Sequence, residues 1–300
     1  MKIGFIGLGR MGNNMVEHLL EKNHEIVVYD NSPEPVEKLG EKGAIASHSV
    51  KEVVDKLPNE KVIWLMVPSG EIIDSIISEL TPNLKKGDII IDGGNSYFED
   101  SIKRYNRLKE IGISFIDCGT SGGMEGARHG ACMMIGGDEE SFKRTEQLYK
   151  DMSVKNGYGY MGSSGAGHFV KMVHNGVEYG MMGAIAEGAN ALRKHSGRFG
   201  MNVEKAISVY ANGSIIESRL VSWLLTGMKR PYFKEVSGTV PKGETEEEME
   251  NLERLADMPI LKRAREMRVE TRKKPSDMGR DLALMRNEFG GHAFNERKTA

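Results

Sequence analysis

Four polar side chains that could act on a substrate follow one another at helical spacing: Lys171, His174, Asn175 and Glu178. Positions i, i+3, i+4 and i+7 lie on one helical face about two turns long. The segment around them is otherwise rich in Gly, Ala and Met. A solvated Lys–Glu ion pair is the alternative, but a polar stripe on an apolar helix has to be buried against something polar. Because amines, imidazoles, amides and carboxylates bind polar ligands and exchange protons, the spacing predicts a functional site.

A glycine-rich turn near residue 10 predicts a second site. Its residues are Gly7, Leu8, Gly9, Arg10, Met11 and Gly12. The turn follows an apolar run at 2–6, opens an amphipathic run at 13–21 and precedes a second apolar run that ends in Asp30. A strand, a GxGxxG turn, a helix and an acid about 20 residues on form the fingerprint of a dinucleotide site.

The chemistry of this fingerprint favours NAD over NADP as the cofactor. The glycines allow the pyrophosphate to approach the backbone at a helix N-terminus. Asp30 is expected to accept hydrogen bonds from the adenosine ribose, where its carboxylate would repel a 2′-phosphate. No Arg follows in the next three residues, at 31–33.

Alternating apolar runs and amphipathic segments predict a parallel, doubly wound sheet. Strands are expected at 61–67, 88–92, 113–117 and 132–135, with helices at 71–80, 98–110 and 139–151. Ligands of such sheets bind beyond the carboxyl ends of the strands. Val67, Asn95 and the segment 119–123 stand at such ends. Asn95 suits a grip on nicotinamide and substrate, although Asn after two glycines is equally a turn residue.

After residue 162 the pattern becomes helical. One long helix is expected at 166–195 and further helices at 201–227, with a loop at 229–242 and a charged helical region at 244–272 that breaks near Pro259. The expected fold is α/β, with an N-terminal Rossmann-like doubly wound sheet at 1–162 and an all-α C-terminal domain at 163–300.

Composition narrows the class of protein. Of the 300 residues, 39% are hydrophobic and 28% charged, and the net charge of -2 indicates no general affinity for nucleic acid or membrane surfaces. Two cysteines are too few for a disulfide framework, and no signal peptide or membrane span is expected, so a cytoplasmic location is predicted. The histidines have no Cys or carboxylate at ligand spacing, so no metal is expected.

Four segments together resemble 6-phosphogluconate dehydrogenase, the decarboxylating kind. They are 171–179 (KMVHNGVEY), 92–96 (DGGNS), 121–123 (SGG) and 286–292 (RNEFGGH). With the dinucleotide fingerprint, the resemblance covers nearly the whole chain, and the length resembles the short form of the family. The wider superfamily of β-hydroxyacid dehydrogenases shares the GxxGxGxxxKxxxN pattern seen at 162–175. His174 and Glu178 point to the phosphogluconate branch.

The resemblance implies oxidation and decarboxylation of 6-phosphogluconate to ribulose 5-phosphate and CO2, with reduction of NAD, in the pentose phosphate pathway. Lys171 is then the general base at the 3-hydroxyl and Glu178 the general acid that protonates C1 of the enediol. The residues that would hold the sugar acid are Asn95, Ser121, Gly122, Gly123, His174 and Asn175. Tyr179 and Arg286 would hold its phosphate. Burial, which lowers the pKa of an amine and raises that of a carboxylic acid, suits such a pair.

The resemblance implies a homodimer in which His292 of one subunit completes the pocket of its partner, which would make the dimer obligatory; whether dimers pair into tetramers is left open. The alternative is that Arg286 and His292 are ordinary surface residues, but residues 289–291 between them suit a tight turn against a partner.

The sequence departs from the family at 242–248 (KGETEEE), where the family has a basic residue followed by Trp. Arg268 or Arg272 is the candidate for the remaining phosphate contact. Because acids repel phosphate, the acidic segment is expected to face solvent as a helix N-terminus.

Two other functions fit part of the pattern. Another β-hydroxyacid dehydrogenase, acting on 3-hydroxyisobutyrate or an unphosphorylated sugar acid, would share Lys171 and Asn175 but would not need Glu178 or Arg286. A non-catalytic dinucleotide-binding protein would keep the glycine turn and Asp30 but has no use for Lys171 together with Glu178.

Overall fold

The chain folds into two compact units, Met1–Lys171 and Met172–Ala300. The computed structural model describes residues 1–243 and 245–296. One helix, Ala166–Phe199, begins in the first unit and continues into the second.

The first unit is built on eight strands and the helices between them. The strands are β1 Lys2–Ile6, β2 Glu25–Tyr29, β3 Ile45–Ala46, β4 Val62–Leu65, β5 Ile89–Asp92, β6 Ser114–Ser121, β7 Ala131–Gly136 and β8 Ser153–Gly162. The helices are α1 Arg10–Glu21, α2 Pro33–Glu41, α3 Val50–Asp55, α4 Glu71–Leu80, α5 Phe98–Lys109, α6 Gly123–His129, α7 Glu139–Met152 and the start of α8 Ala166–Phe199. A short 3-10 helix, Thr81–Asn83, follows α4.

The strands form one sheet in the order β3-β2-β1-β4-β5-β6-β7-β8. All pairs from β3 to β6 are parallel, which confirms the doubly wound α/β fold. β6 and β7 pair antiparallel, and β8 is parallel to β7, so the last two strands run against the other six. The sequence did not indicate β8, because its glycines and exposed polar residues carry no apolar alternation.

The apolar strands bury both faces of the sheet, which is why they read as continuous apolar runs. Trp64 at the centre of β4 is fully buried and stacks on Phe5 of β1, with ring centroids 6.1 Å apart. Two clusters of buried side chains, one containing Phe5 and Trp64 and the other Ile63 and Phe115, cover the sheet. This core holds the carboxyl ends of the parallel strands at one edge.

The second unit is helical over the residues that the structure describes. After α8 come α9 Val203–Tyr210, α10 Arg219–Lys229, a 3-10 helix Pro231–Glu235, α11 Thr245–Leu255, α12 Pro259–Lys273 and α13 Asp277–Gly290. The break near Pro259 is confirmed, with the proline in the first turn of α12. Met182, Leu224 and Met285 lie in its buried core. In residues 1–243 and 245–296, no helix is long and apolar enough to cross a membrane.

Candidate active site

The three glycines of the turn at 7–12 do three different things. Gly7 has φ 97°, and a Cβ there would lie 2.3 Å from the carbonyl oxygen of Met66. At Gly12 a Cβ would lie 2.0 Å from the carbonyl oxygen of Gly7, so helix α1 packs directly on the turn. A Cβ at Gly9 would meet no atom within 4 Å, so the middle glycine borders open space at the start of α1. A helix N-terminus that opens on free space is suited to a pyrophosphate.

Asp30, directly after β2, is joined to this turn. Its Oδ2 accepts a hydrogen bond from the Leu8 amide at 2.7 Å, and its Oδ1 accepts one from the Ser32 amide at 2.8 Å. A carboxylate has further lone pairs on both oxygens, so ribose hydroxyls can still donate to it. The acid therefore shapes the glycine turn in addition to any role in reading the ribose.

Asn95 sits in a turn that a buried acid shapes. Asp92, the last residue of β5, accepts hydrogen bonds from the Gly94 amide at 3.1 Å and from Ser96 Oγ at 2.7 Å. Arg104 lies 3.6 Å from the same carboxylate. Val67 follows β4, so both predicted contact residues come after carboxyl strand ends of the sheet.

The segment 121–123 turns sharply from β6 into α6. Gly122 and Gly123 have φ of 120° and 63°, which only glycine adopts at little cost. The sequence placed 119–121 beyond the strand, but β6 continues to Ser121, because Gly119, Thr120 and Ser121 pair with β7.

Lys171 is seated directly on the sheet. A Cβ on Gly119 of β6 would lie 2.4 Å from the Cβ of Lys171, so the two backbones approach as closely as glycine allows. The start of α8 is equally close, since a Cβ on Gly167 would lie 2.5 Å from the carbonyl oxygens of Asp117 and Met134. Because residues 119 and 167 are glycines, the backbone that carries Lys171 lies directly against strands β6 and β7.

The predicted polar stripe exists, because α8 is one continuous helix from 166 to 199. Asn175 is buried, and its Oδ1 lies 3.3 Å from His174 Nδ1. Lys171, His174 and Glu178 are half-buried. The four side chains share a helical face, as their spacing requires.

One residue beyond Glu178, Tyr179 lies at the centre of an arginine cluster. The guanidinium of Arg268 from α12 stacks over its ring at 3.4 Å from the centroid, and the hydroxyl lies 2.9 Å from Thr245 Oγ1 of α11. Arg286 of α13 donates from Nη1 to the carbonyl oxygen of Pro241 at 2.9 Å. Gly243 leaves room for Arg286, since a Cβ there would lie 2.8 Å from its Nη2.

Arg268 is a buried cation with few polar contacts. Only 3% of the residue is exposed, and within the described part of the chain its Nε has no hydrogen-bond partner, while Nη2 faces the sulfur of Met182 at 3.3 Å. Burial lowers its pKa to about 10, and the positive charge of Arg286 adds to the effect. Burial also lowers the pKa of Arg286. Two desolvated guanidinium groups that repel each other are suited to bind an anion.

The expectation that the acidic segment faces solvent is wrong for Glu246. α11 begins at Thr245, within the charged helical region expected at 244–272, but Glu246 is only 5% exposed; Glu244, the first acid of the segment, lies outside the described residues. Both of its oxygens accept from the guanidinium of Arg272, whose Nε donates to the carbonyl oxygen of Val240 at 3.1 Å. That ion pair lowers the pKa of the Glu246 carboxyl. The acid is tolerated near the cluster because Arg272 neutralises it.

His292 follows the end of α13 in the same chain. Gly291 ends the helix with φ 61°, and the His292 ring packs edge-on against Phe289 at 5.8 Å between centroids. Asn287 Nδ2 donates to the carbonyl oxygen of His292 at 3.0 Å. A contribution of His292 to a partner subunit stays a prediction.

Sequence reasoning missed Asp117, Thr245 and the pairing of Glu246 with Arg272. Asp117 had one signal, an acid at the end of an apolar strand run, where an uncompensated charge would be costly. Thr245 and the ion pair had none, because their partners lie 66 and 26 residues away along the chain.

Comparison with known proteins shows which family matches this chain. Residues 2–162 match the NAD binding domain of 6-phosphogluconate dehydrogenase, and residues 167–222 match the C-terminal domain of 6-phosphogluconate dehydrogenase.

Related sequences and a solved structure support the same family. The chain is 42% identical to the Bacillus subtilis protein YqeC, which carries a provisional 6-phosphogluconate dehydrogenase name, over 99% of this chain and 100% of that protein. It is 41% identical to the NAD-dependent, decarboxylating 6-phosphogluconate dehydrogenase of Haloferax volcanii, over 75% of this chain and 73% of that one. The solved 6-phosphogluconate dehydrogenase of Plasmodium falciparum superposes with a TM-score of 0.79 and 25% identity, covering 91% of this chain and 64% of that one.

Proposed function

This chain belongs to the 6-phosphogluconate dehydrogenase family, is a dehydrogenase with a nicotinamide dinucleotide cofactor, and we propose that it oxidises and decarboxylates 6-phosphogluconate. The products are ribulose 5-phosphate and CO2, with NAD as the favoured hydride acceptor. The observation that carries the proposal is the arginine cluster around Tyr179, one residue beyond Glu178 on α8. An unphosphorylated hydroxyacid lacks the second anionic group that Arg268 and Arg286 would bind, since its one carboxylate belongs to the reacting end of the substrate.

Two residues of α8 accept and donate the protons of the proposed reaction. Lys171 accepts the proton of the 3-hydroxyl and then polarises the resulting ketone oxygen; a nicotinamide held at the glycine turn would accept the hydride from C3. Loss of CO2 from a β-keto acid needs only that polarised oxygen. Glu178 protonates C1 of the enediol that is left. Asn175 is buried on the same helical face, which suits it to orient the substrate beside both groups.

The other proposed contacts follow the family pattern. Asn95, Ser121, Gly122, Gly123 and His174 hold the sugar acid, and Tyr179, Arg268 and Arg286 hold its phosphate. Gly7–Gly12, Asp30, Val67 and Asn95 would hold the cofactor. We propose 162/163 as the boundary between the cofactor domain and the substrate domain, and a homodimer in which His292 serves the partner.

The experiment that tests this function measures reduction of NAD and of NADP with 6-phosphogluconate, together with CO2 release. Stoichiometric NADH and CO2 would support the oxidative decarboxylase. NADH without CO2, or activity on unphosphorylated acids alone, would contradict it and assign the chain to another hydroxyacid substrate. Cofactor binding without turnover on any hydroxyacid would contradict the enzyme altogether.

Asp30→Ala is expected to weaken the preference for NAD over NADP. The substitution removes the charge that repels a 2′-phosphate, so kcat/KM with NADP should fall less than kcat/KM with NAD, or rise. Because Asp30 also accepts a hydrogen bond from the Leu8 amide, a looser turn is expected to lower both values, and the ratio of the two is the quantity to compare. An unchanged ratio would overturn this account of cofactor choice.

A further inference from the structure

We infer that Asp117 is a positioning residue for Lys171, and this inference rests on the proposed role of Lys171 as the base. Asp117 is the fourth residue of β6 and is completely buried. It touches neither substrate nor cofactor in the proposed reaction. Its contacts are instead with the first turn of the helix that carries the lysine.

The carboxylate of Asp117 caps α8 from outside the helix. Oδ1 accepts a hydrogen bond from the Gly165 amide at 2.7 Å, and Oδ2 accepts one from the His168 amide at 2.9 Å. The first N–H groups of a helix have no partner within it and carry partial positive charge. A buried carboxylate that takes two of them is a charge-assisted anchor, and both are drawn to a single point on β6.

The same strand also fixes the position of Lys171 against the sheet. Asp117 and Gly119 lie two residues apart on β6, so their side-chain directions point to the same face of the sheet. On that face Asp117 holds residues 165 and 168, and Gly119 lies directly beneath the Cβ of Lys171. Asp117 and Gly119, two residues apart on one strand, thus fix both the start of α8 and the position of the Lys171 Cβ.

The start of α8 packs so closely on Asp117 and β7 that a change in the Asp117 side chain is transmitted to the helix. A Cβ on Gly136 of β7 would lie 2.6 Å from the Gly167 amide nitrogen and 2.8 Å from both Asp117 oxygens. His168 is buried, with Nδ1 2.7 Å from Ser101 Oγ. When Asp117 no longer accepts from both amides, we expect the first turn to shift and carry Lys171 with it.

The chain offers a matched control in Asp88. This aspartate is also buried and also accepts two backbone hydrogen bonds, from the Lys61 and Lys85 amides, each at 2.8 Å. It directly precedes β5, so it lies at the amino edge of the parallel strands, opposite the edge where ligands bind. The loss of its charge therefore shows how much a change at a buried aspartate lowers Tm and kcat when the residue lies away from the edge where ligands bind.

The experiment compares Asp117→Asn with Asp88→Asn in the full-length enzyme. In each Asn variant an NH2 group replaces one acceptor, so both should lower Tm by similar amounts. Only Asp117→Asn should lower kcat, by about 10- to 100-fold, since a displacement near 1 Å can cost about 100-fold. NAD affinity should stay unchanged, and the primary isotope effect with substrate deuterated at C3 should rise as hydride transfer becomes slower.

Equal kcat values in the two Asn variants would overturn the positioning role. If Asp117→Asn does not fold, Asp117→Ser replaces it, because serine keeps one acceptor for the helix N-terminus; the same fall in kcat is expected, and wild-type kcat would overturn the inference. The Lys171→Ala variant distinguishes failure of the proposed base from failure of the positioning role. Retained turnover there would remove the proposed base, whereas an inactive Lys171→Ala beside an unaffected Asp117 variant would remove only the positioning role.

Discussion

Replacement of Lys171 by alanine is expected to slow hydride transfer, with a loss of about 10²- to 10⁴-fold in the rate of NADH formation, the range that general base catalysis contributes. The 3-hydroxyl cannot release hydride from its carbon unless its proton is accepted at the same time. Lys171 is the amine on the polar face of α8, held at its Cβ against Gly119. The methyl group of alanine keeps that contact, so the helix should stay in place.

The measurement is single-turnover NADH formation, with NAD affinity measured separately by fluorescence. Affinity should be unchanged, because the proposed cofactor contacts, Gly7–Gly12, Asp30, Val67 and Asn95, all lie outside α8. Lys194→Ala is the matched control, since Lys194 is an exposed lysine on the same helix. Turnover of Lys171→Ala at the rate of this control would show that another group is the base.

Replacement of Arg268 by methionine is expected to remove most of the discrimination for a phosphorylated substrate. A hydrogen bond to a charged group contributes about 1.5–3 kcal/mol, and about 1.4 kcal/mol is tenfold, so kcat/KM for 6-phosphogluconate should fall by about 10- to 100-fold. The value for unphosphorylated gluconate should change little. Methionine keeps a flexible apolar chain against the Tyr179 ring and Met182, which limits any cavity.

Stability gives an independent readout on the same variant. Arg268 is buried, and its Nε has no partner among the described residues, so its removal should leave Tm unchanged or raise it. Arg263→Met is the control on the same helix, because the Arg263 side chain is half exposed and pairs with Glu270. Equal losses on phosphorylated and unphosphorylated substrates would assign Arg268 to the fold rather than to phosphate recognition.

The parts of this protein that sequence predicted are those whose cause is local. The glycine turn could be recognised because conformation and close approach are properties of Gly7, Gly9 and Gly12 themselves. The polar stripe of α8 could be recognised because 3.6 residues per turn place Lys171 and Glu178 on one side of any helix. The parallel strands showed as apolar runs because both faces of the sheet are covered.

Other features depended on which segments meet in space. β8 pairs with β7 although its sequence has no strand pattern, because a neighbouring strand supplies its hydrogen bonds. The acidic segment looked repulsive to a phosphate until Arg272, 26 residues further on, was found to neutralise Glu246.

The sequence by itself determined a dinucleotide fold, the helix that carries the proposed base and acid, and the family to which these residues point. Only the tertiary structure decided how Lys171 packs against the sheet and which arginines form the cluster around Tyr179. Asp117 holds the start of α8 from a strand 48 residues earlier, and Arg268 stacks on a tyrosine from a different helix. Spacing along a chain fixes which side chains share a face, whereas the partner of a buried charge depends on packing between elements distant in sequence.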